Sequence, residues 1–201
     1  DILMELSSSY LYKDLLEYDG IRNPKLLSDL LKALALQLGN EVSYNELAQL
    51  LQVDRATVEK YIDLLEKTFV IFKLQALNNN QRNEIKNSRK IYFYDNGVRN
   101  AILQNFNPLS LRNDVGALWE NFLITERIKK SNYEKTYAFQ YFWRTYYGQE
   151  VDFVESQNGN YHAFEFKWNE KKKVKPPSSF KKSYPEATFK VVNRKNFTDF
   201  V

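Results

Sequence analysis

At 201 residues the chain has room for one large or two small domains, each with its own core, and not for a multi-domain machine. A composition of 43% hydrophobic and 15% aromatic residues, with six glycines and five prolines, excludes a linker or a disordered tail. The net charge is +4, the absence of cysteine excludes disulfides, thiolate catalysis and cysteine zinc sites, and the single histidine, His162, excludes a multi-histidine metal cluster; any metal must be held by oxygen.

The chain opens at Asp1 inside what reads as a helix, so residues 1–19 are expected to be a helical segment of a longer protein. Pro24 to Leu38 places Leu26, Leu27, Leu30, Leu31, Leu34 and Leu38 at three- and four-residue spacing, an amphipathic helix stopped by Gly39-Asn40. Ser43 and Glu46 form a capping box ahead of Leu47, Ala48, Leu50 and Leu51. Asp54 caps a third helix with the apolar face Val58, Ile62, Leu65 and Phe69. Two helices joined by Gln52-Val53-Asp54 read as helix-turn-helix, and the strands Phe69 to Leu74 and Lys90 to Tyr94 around a polar loop read as a wing. A winged-helix domain over residues 20–105 is expected. Its recognition helix mixes Arg55, Lys60 and Lys67 with Glu59, Asp63 and Glu66, a poor match for a DNA groove. DNA contact, if made, is expected from the wing through Arg82, Lys86 and Arg89; the alternative is that the winged helix packs on another domain or subunit.

A second domain over residues 106–201 begins with a long helix, Asp114 to Lys130. Three aromatic-rich strands follow, Tyr137 to Arg144, Glu150 to Glu155 and Tyr161 to Trp168, then a short helix from Ser178 to Ser183 and a last strand, Thr188 to Asn193. Trp143-Arg144 and Tyr146-Tyr147 read as strand-face packing, with stacking on bases or on a partner domain as the alternative. Gly148-Gln149 reads as a hairpin turn and His162 as packing. From Glu165 to Val201 there are ten lysines and arginines against four acids. Lys171, Lys172 and Lys173 in that stretch fit either phosphate contacts or a solvated face.

Strand alternation puts Glu165 and Lys167 on one face, and an antiparallel hairpin across Asn158-Gly159 brings Asp152 alongside. Carboxylates among aromatic residues need either a paired cation or a metal, and Glu120 on the long helix adds a further acid. A structural Asp152–Lys167–Glu165 salt-bridge network is the alternative to a divalent site.

Glu120 in a first helix, Asp152 in a second strand and Glu165-Phe166-Lys167 in a third resemble the PD-(D/E)xK phosphodiesterase fold of restriction enzymes and Holliday-junction resolvases, with Val151 where the motif has proline. The stretches Ser9 to Asp14, Lys90 to Asp95, Gly116 to Phe122, Phe142 to Thr145, Gly148 to Phe153 and Glu165 to Trp168 further resemble the C-terminal region of a bacterial and archaeal AAA-type ATPase family. The fold class this implies is α/β (α+β overall), a winged helix followed by a restriction-endonuclease-like αβββαβ domain. By that resemblance Asp152, Glu165 and the Phe166 carbonyl would hold Mg²⁺ or Mn²⁺, with Glu120 direct or through water, and Lys167 would orient the attacking water. The function implied is a metal-dependent nuclease-like domain acting on DNA; the alternative is a non-catalytic DNA- or protein-interaction module on the same fold. An ATPase core of the same protein is an expected partner, and self-association stays open. None of the six glycines is followed by lysine, so no P-loop and no nucleotide site is expected in this chain. No apolar run approaches the roughly 20 residues of a membrane span and Asp1 to Leu16 lacks the zones of a secretion signal, so a cytoplasmic chain without a membrane partner is expected.

Overall fold

Three capped helices open the described part of the chain. In α1 (Pro24–Leu36) the proline sits at the first turn and Asn23 accepts the Leu26 N–H at 3.1 Å. Ser43 accepts the Glu46 N–H to start α2 (Tyr44–Leu51), and Asp54 takes the Thr57 N–H at 2.7 Å to start α3 (Arg55–Lys67). Strands β1 (Ile71–Ala76) and β2 (Arg89–Phe93) and helix α4 (Asn96–Ile102) follow. This computed structural model describes residues 23–77 and 89–201. The expected helical segment 1–19 and the wing residues Arg82 and Lys86 lie outside them.

The chain divides into two compact units, Asp1–Lys73 with Arg89–Arg112 and Leu74–Ser88 with Asn113–Val201. In the first unit Leu27, Leu30, Leu31 and Leu34 of α1 are buried, as are Leu47 of α2, Val58, Ile62 and Leu65 of α3, and Ile71, Tyr92 and Phe93 of the strands. The alternation of leucines at helical spacing thus becomes the inward face that the sequence predicts. Phe69 departs from that prediction. Helix α3 stops at Lys67, Thr68 turns its hydroxyl onto the Leu64 and Leu65 carbonyls, and Phe69 takes a left-handed φ of 57° that swings its ring outward against the edge of Tyr94. Leu50 is likewise exposed. An isolated antiparallel bridge joins Glu41, between α1 and α2, to Lys90 of β2.

The second unit carries α5 (Val115–Tyr133), β3 (Phe139–Arg144), β4 (Glu150–Gln157), β5 (Asn160–Phe166), α6 (Ser178–Ser183) and β6 (Thr188–Val192). The described strands form one mixed sheet in the order β2-β1-β3-β4-β5-β6. Strand β1 does not end as half of a separate hairpin: Gln75 and Ala76 pair in parallel with Tyr141 and Phe142 of β3. Pairing is antiparallel from β3 through β5 and parallel between β5 and β6, as the α6 crossover requires. The β4–β5 turn places Asn158 at φ 53° and Gly159 at φ 81°, the Asn-Gly geometry that matches strand twist.

Two faces of this sheet are covered. On one, Phe153, Phe164 and Phe166 pack around the Phe200 ring at 4.8 to 6.0 Å between ring centres, and Arg127 of α5 forms a two-bond ion pair with the buried Glu155 at 2.8 and 2.7 Å. On the other, Val154 and Ala163 pack with Trp143, with Phe180 of α6 and with Tyr184 just after it. No helix among the described residues is long and apolar enough to cross a membrane.

Candidate functional site

The regular β4–β5 ladder runs from Gln157↔Asn160 up to Phe153↔Phe164. Asp152 and Glu165 are next in line on the face of Val154 and Ala163. There the Asp152 carboxylate takes over from the backbone, its Oδ2 accepting the Phe166 N–H at 2.7 Å. On its other side β5 stays bound to β6, Glu165 opposite Val191 and the Lys167 N–H donating to the Val192 carbonyl at 2.9 Å. The regular β4–β5 pairing thus ends just short of Asp152, where the β4 register against β3 also shifts between Tyr141 and Trp143, and the gap in the ladder beyond it has a carboxylate from each strand.

Into that gap Lys167 sends its ammonium, with Nζ at 2.6 Å from Glu165 Oε1 and 3.8 Å from Asp152 Oδ2. The three side chains are mostly sheltered, with 22% of Lys167, 14% of Asp152 and 12% of Glu165 exposed, which is enough to strengthen their mutual field and too little to seal them from water. Burial, then the Asp152 charge, pushes the Glu165 carboxyl above the usual glutamate range, and the Lys167 hydrogen bond pulls it partly back. Burial opposes the charge of Lys167, but Asp152, Glu165 and the more distant Glu120 together hold its pKa above the ordinary lysine value. The ammonium is thus kept charged by three acids.

The sequence reading placed Asp152, Glu165, Phe166 and Lys167 together, and they meet. Glu120, on α5, acts on Lys167 through its charge. Among the described residues no group of three Asp, Glu or His side chains is arranged to hold a metal. Two carboxylates without nitrogen or sulfur donors fit a hard divalent cation such as Mg²⁺ or Mn²⁺, with Lys167 as the group that would have to make room.

The predicted nucleic-acid contacts separate. Lys171, Lys172 and Lys173 are exposed, whereas Arg89 lays its guanidinium over the Tyr44 ring at 4.4 Å and its neighbour Lys90 is buried. His162 bonds Thr188 Oγ1 at 2.9 Å across to β6, a packing role. Trp143 is buried edge-on against Phe180 as read, but Tyr146 and Tyr147 are not packed on the sheet at all. Sequence reasoning missed the Arg127–Glu155 pair. Its signal was an acid at an inward position of β4, two residues beyond Phe153, which demanded a buried cation.

The chain belongs to the DUF8612 family. The model of that domain of unknown function matches residues 2–109, and a second, the domain of unknown function DUF4143, matches residues 115–199, the stretch that holds the Asp152, Glu165 and Lys167 cluster. The chain is similar to the uncharacterized protein Rv2008c of Mycobacterium tuberculosis, 28% identical over 163 residues that make up 80% of this chain and 36% of that one. It is also similar to the uncharacterized protein MJ1544 of Methanocaldococcus jannaschii, 26% identical over 98% of this chain and 44% of that one. The chain therefore spans less than half the length of these relatives. No solved structure matches it.

Proposed function

We propose that the DUF4143 part of this DUF8612 chain is a metal-dependent phosphodiesterase-like domain that acts on DNA, carried behind a winged helix in the C-terminal region of an AAA-type ATPase family protein. The observation that carries the reading is the gap between β4 and β5, where Asp152, Glu165 and Lys167 converge on one face and the Phe166 N–H fixes the Asp152 carboxylate. Support for the fold comes from the order helix, three antiparallel strands, helix, parallel strand in the second unit, which is the order the PD-(D/E)xK resemblance implies. For the first unit it comes from three capped helices followed by two strands, with an isolated Glu41–Lys90 bridge from the stretch between the first and second helices. For the ATPase link it comes from the DUF4143 match, a domain found in ATPase-associated proteins.

A divalent cation bound by Asp152 and Glu165 would supply charge to the phosphoryl oxygens and acidify an attacking water. The chain's own residues have separate tasks. Asp152 is oriented by the Phe166 amide, which fixes the direction of its carboxylate. Lys167, kept protonated by its acidic neighbours, offers a positive charge to the phosphate as negative charge grows on it. Glu165, whose ionisation is disfavoured by burial, would be favoured as a carboxylate by positive charge added to the gap.

The ion pair of Lys167 with Glu165 favours a second reading, a non-catalytic DNA- or protein-interaction module in which that bond only ties the strand end. Calorimetric Mn²⁺ titration with a DNA cleavage assay separates the two. Saturable Mn²⁺ uptake, lost in Asp152→Ala together with Mn²⁺-dependent cleavage, is the expected result. A wild-type chain that takes up no Mn²⁺ and cuts nothing leaves the interaction module.

A further inference from the structure

At the end of the sheet where Asp152 lies, β3 and β4 are joined by Thr145 to Gln149, and this turn carries two exposed aromatic side chains. Tyr146 is 98% exposed and Tyr147 91%. Their rings meet edge to face at 5.6 Å and 85°. The turn beneath them is held: the Thr145 N–H donates to the Gln149 carbonyl at 2.8 Å, the Gly148 N–H to the Thr145 carbonyl at 3.0 Å and the Gln149 N–H to Thr145 Oγ1 at 3.1 Å, with Gly148 at φ 81°. Two aromatic faces are thus displayed on a fixed support, five and six residues before Asp152.

A strap of positive charge borders the same end. The chain leaves the gap at Lys167, passes through Lys171, Lys172, Lys173 and Lys175, all but the first of these five exposed, and enters α6. There the Ser179 N–H donates to Gln149 Oε1 at 3.2 Å, which ties the far end of the strap to the aromatic turn. The basic segment is therefore anchored at the acid-lysine gap on one side and at the tyrosines on the other.

We infer that this surface binds single-stranded DNA, with unpaired bases stacking on Tyr146 and Tyr147 and phosphates tracking the lysine strap past the Asp152, Glu165 and Lys167 gap; the inference rests on the reading of this unit as a DNA-acting domain and adds its substrate class. Lysines attract any phosphate backbone, but the tyrosines choose. In a duplex the base faces are already stacked on one another, whereas an unpaired strand turns each base face outward to meet an aromatic ring. Sequence preference is not expected, because every base has a face to stack.

The test measures binding by fluorescence anisotropy of labelled oligothymidine, a duplex of equal length and oligouridine, with the 201-residue chain in EDTA so that no cleavage intervenes. Oligothymidine is expected to bind more tightly than the duplex. Tyr146→Ala with Tyr147→Ala should weaken it by about tenfold or more. Tyr146→Phe with Tyr147→Phe should hold on to the affinity, since the ring and not the hydroxyl does the stacking. Lys171→Ala with Lys172→Ala and Lys173→Ala should weaken single strand and duplex alike and flatten the salt dependence. Equal affinity for single strand and duplex, an unchanged Kd in the double alanine variant, or a preference for oligouridine overturns the inference. Ring-dependent binding without any Mn²⁺-dependent cleavage sinks the phosphodiesterase reading alone. Cleavage with a Kd indifferent to both rings sinks the stacking inference alone.

Discussion

Lys73 in the first unit and Lys167 in the second each reach two carboxylates with a similar exposure of their own, 21% and 22%. Lys73 stands 2.8 Å from Asp63 and 2.7 Å from Glu66, and Lys167 stands 2.6 Å from Glu165 and 3.8 Å from Asp152. The difference lies in the acids. Asp63 and Glu66 are 56% and 36% exposed, while Asp152 and Glu165 keep only 14% and 12% of their surface in water. Solvated acids that grip a lysine fasten a strand to a helix and gain little beyond that. Sheltered acids have given up hydration that one ammonium does not fully return, and the raised Glu165 carboxyl registers the deficit. Like geometry therefore serves as a clasp in one unit and as a poised charge cluster in the other.

The strongest way to break this contrast is to remove each lysine. Lys167→Ala strands two sheltered carboxylates and should destabilise the chain by about 2–3 kcal/mol in urea unfolding at neutral pH, less than a fully buried pair because water reaches the gap. Mn²⁺ should then recover a larger share of stability in Lys167→Ala than it adds to the wild type, because the ion replaces the missing charge. Lys73→Ala should lose less than about 1 kcal/mol, since Asp63 and Glu66 return to water. Equal losses at the two lysines would erase the distinction.

A pH series sharpens the contrast with less perturbation. Folded Glu165 holds its proton to higher pH than the unfolded chain does, so its ionisation opposes folding. Relative to Glu165→Gln, the wild type should gain stability as pH falls from neutrality through the raised folded value toward 4.5. Lys167 runs in the same direction in a higher window, its stabilisation being complete below 10.5 and disappearing as pH rises through the raised folded value.

The smallest expected effect is the most diagnostic. Asp152→Asn retains an oxygen for the Phe166 N–H and leaves Lys167 its 2.6 Å bond to Glu165, while it removes repulsion between the two acids. Thermal melting should therefore stay within about 1 kcal/mol of wild type or rise, with the Mn²⁺-dependent shift and cleavage lost. A strong destabilisation would mark Asp152 as a structural partner of Lys167.

Much of this molecule is written in local pattern. Leucine spacing, the Asn23, Ser43 and Asp54 caps and the Asn158-Gly159 turn act within a few residues, so α1 to α3 and the β4–β5 hairpin follow from the chain alone. The hairpin carries much of the site with it: once Asn158-Gly159 fixes the register, Asp152 of β4 comes alongside Glu165 of β5, with Lys167 two residues on. What the sequence could not decide is every choice made between distant segments. The parallel pairing of β1 with β3, the Arg127–Glu155 pair and the turn of Arg89 onto Tyr44 depend on which surfaces the packed core leaves in reach. Whether Tyr146 and Tyr147 pack or protrude, and how strongly the charge of Glu120 acts on Lys167, also follow from three-dimensional placement. Residue types set which chemistry is available, and because burial and distance scale every charge interaction, the fold alone sets how strongly it is expressed.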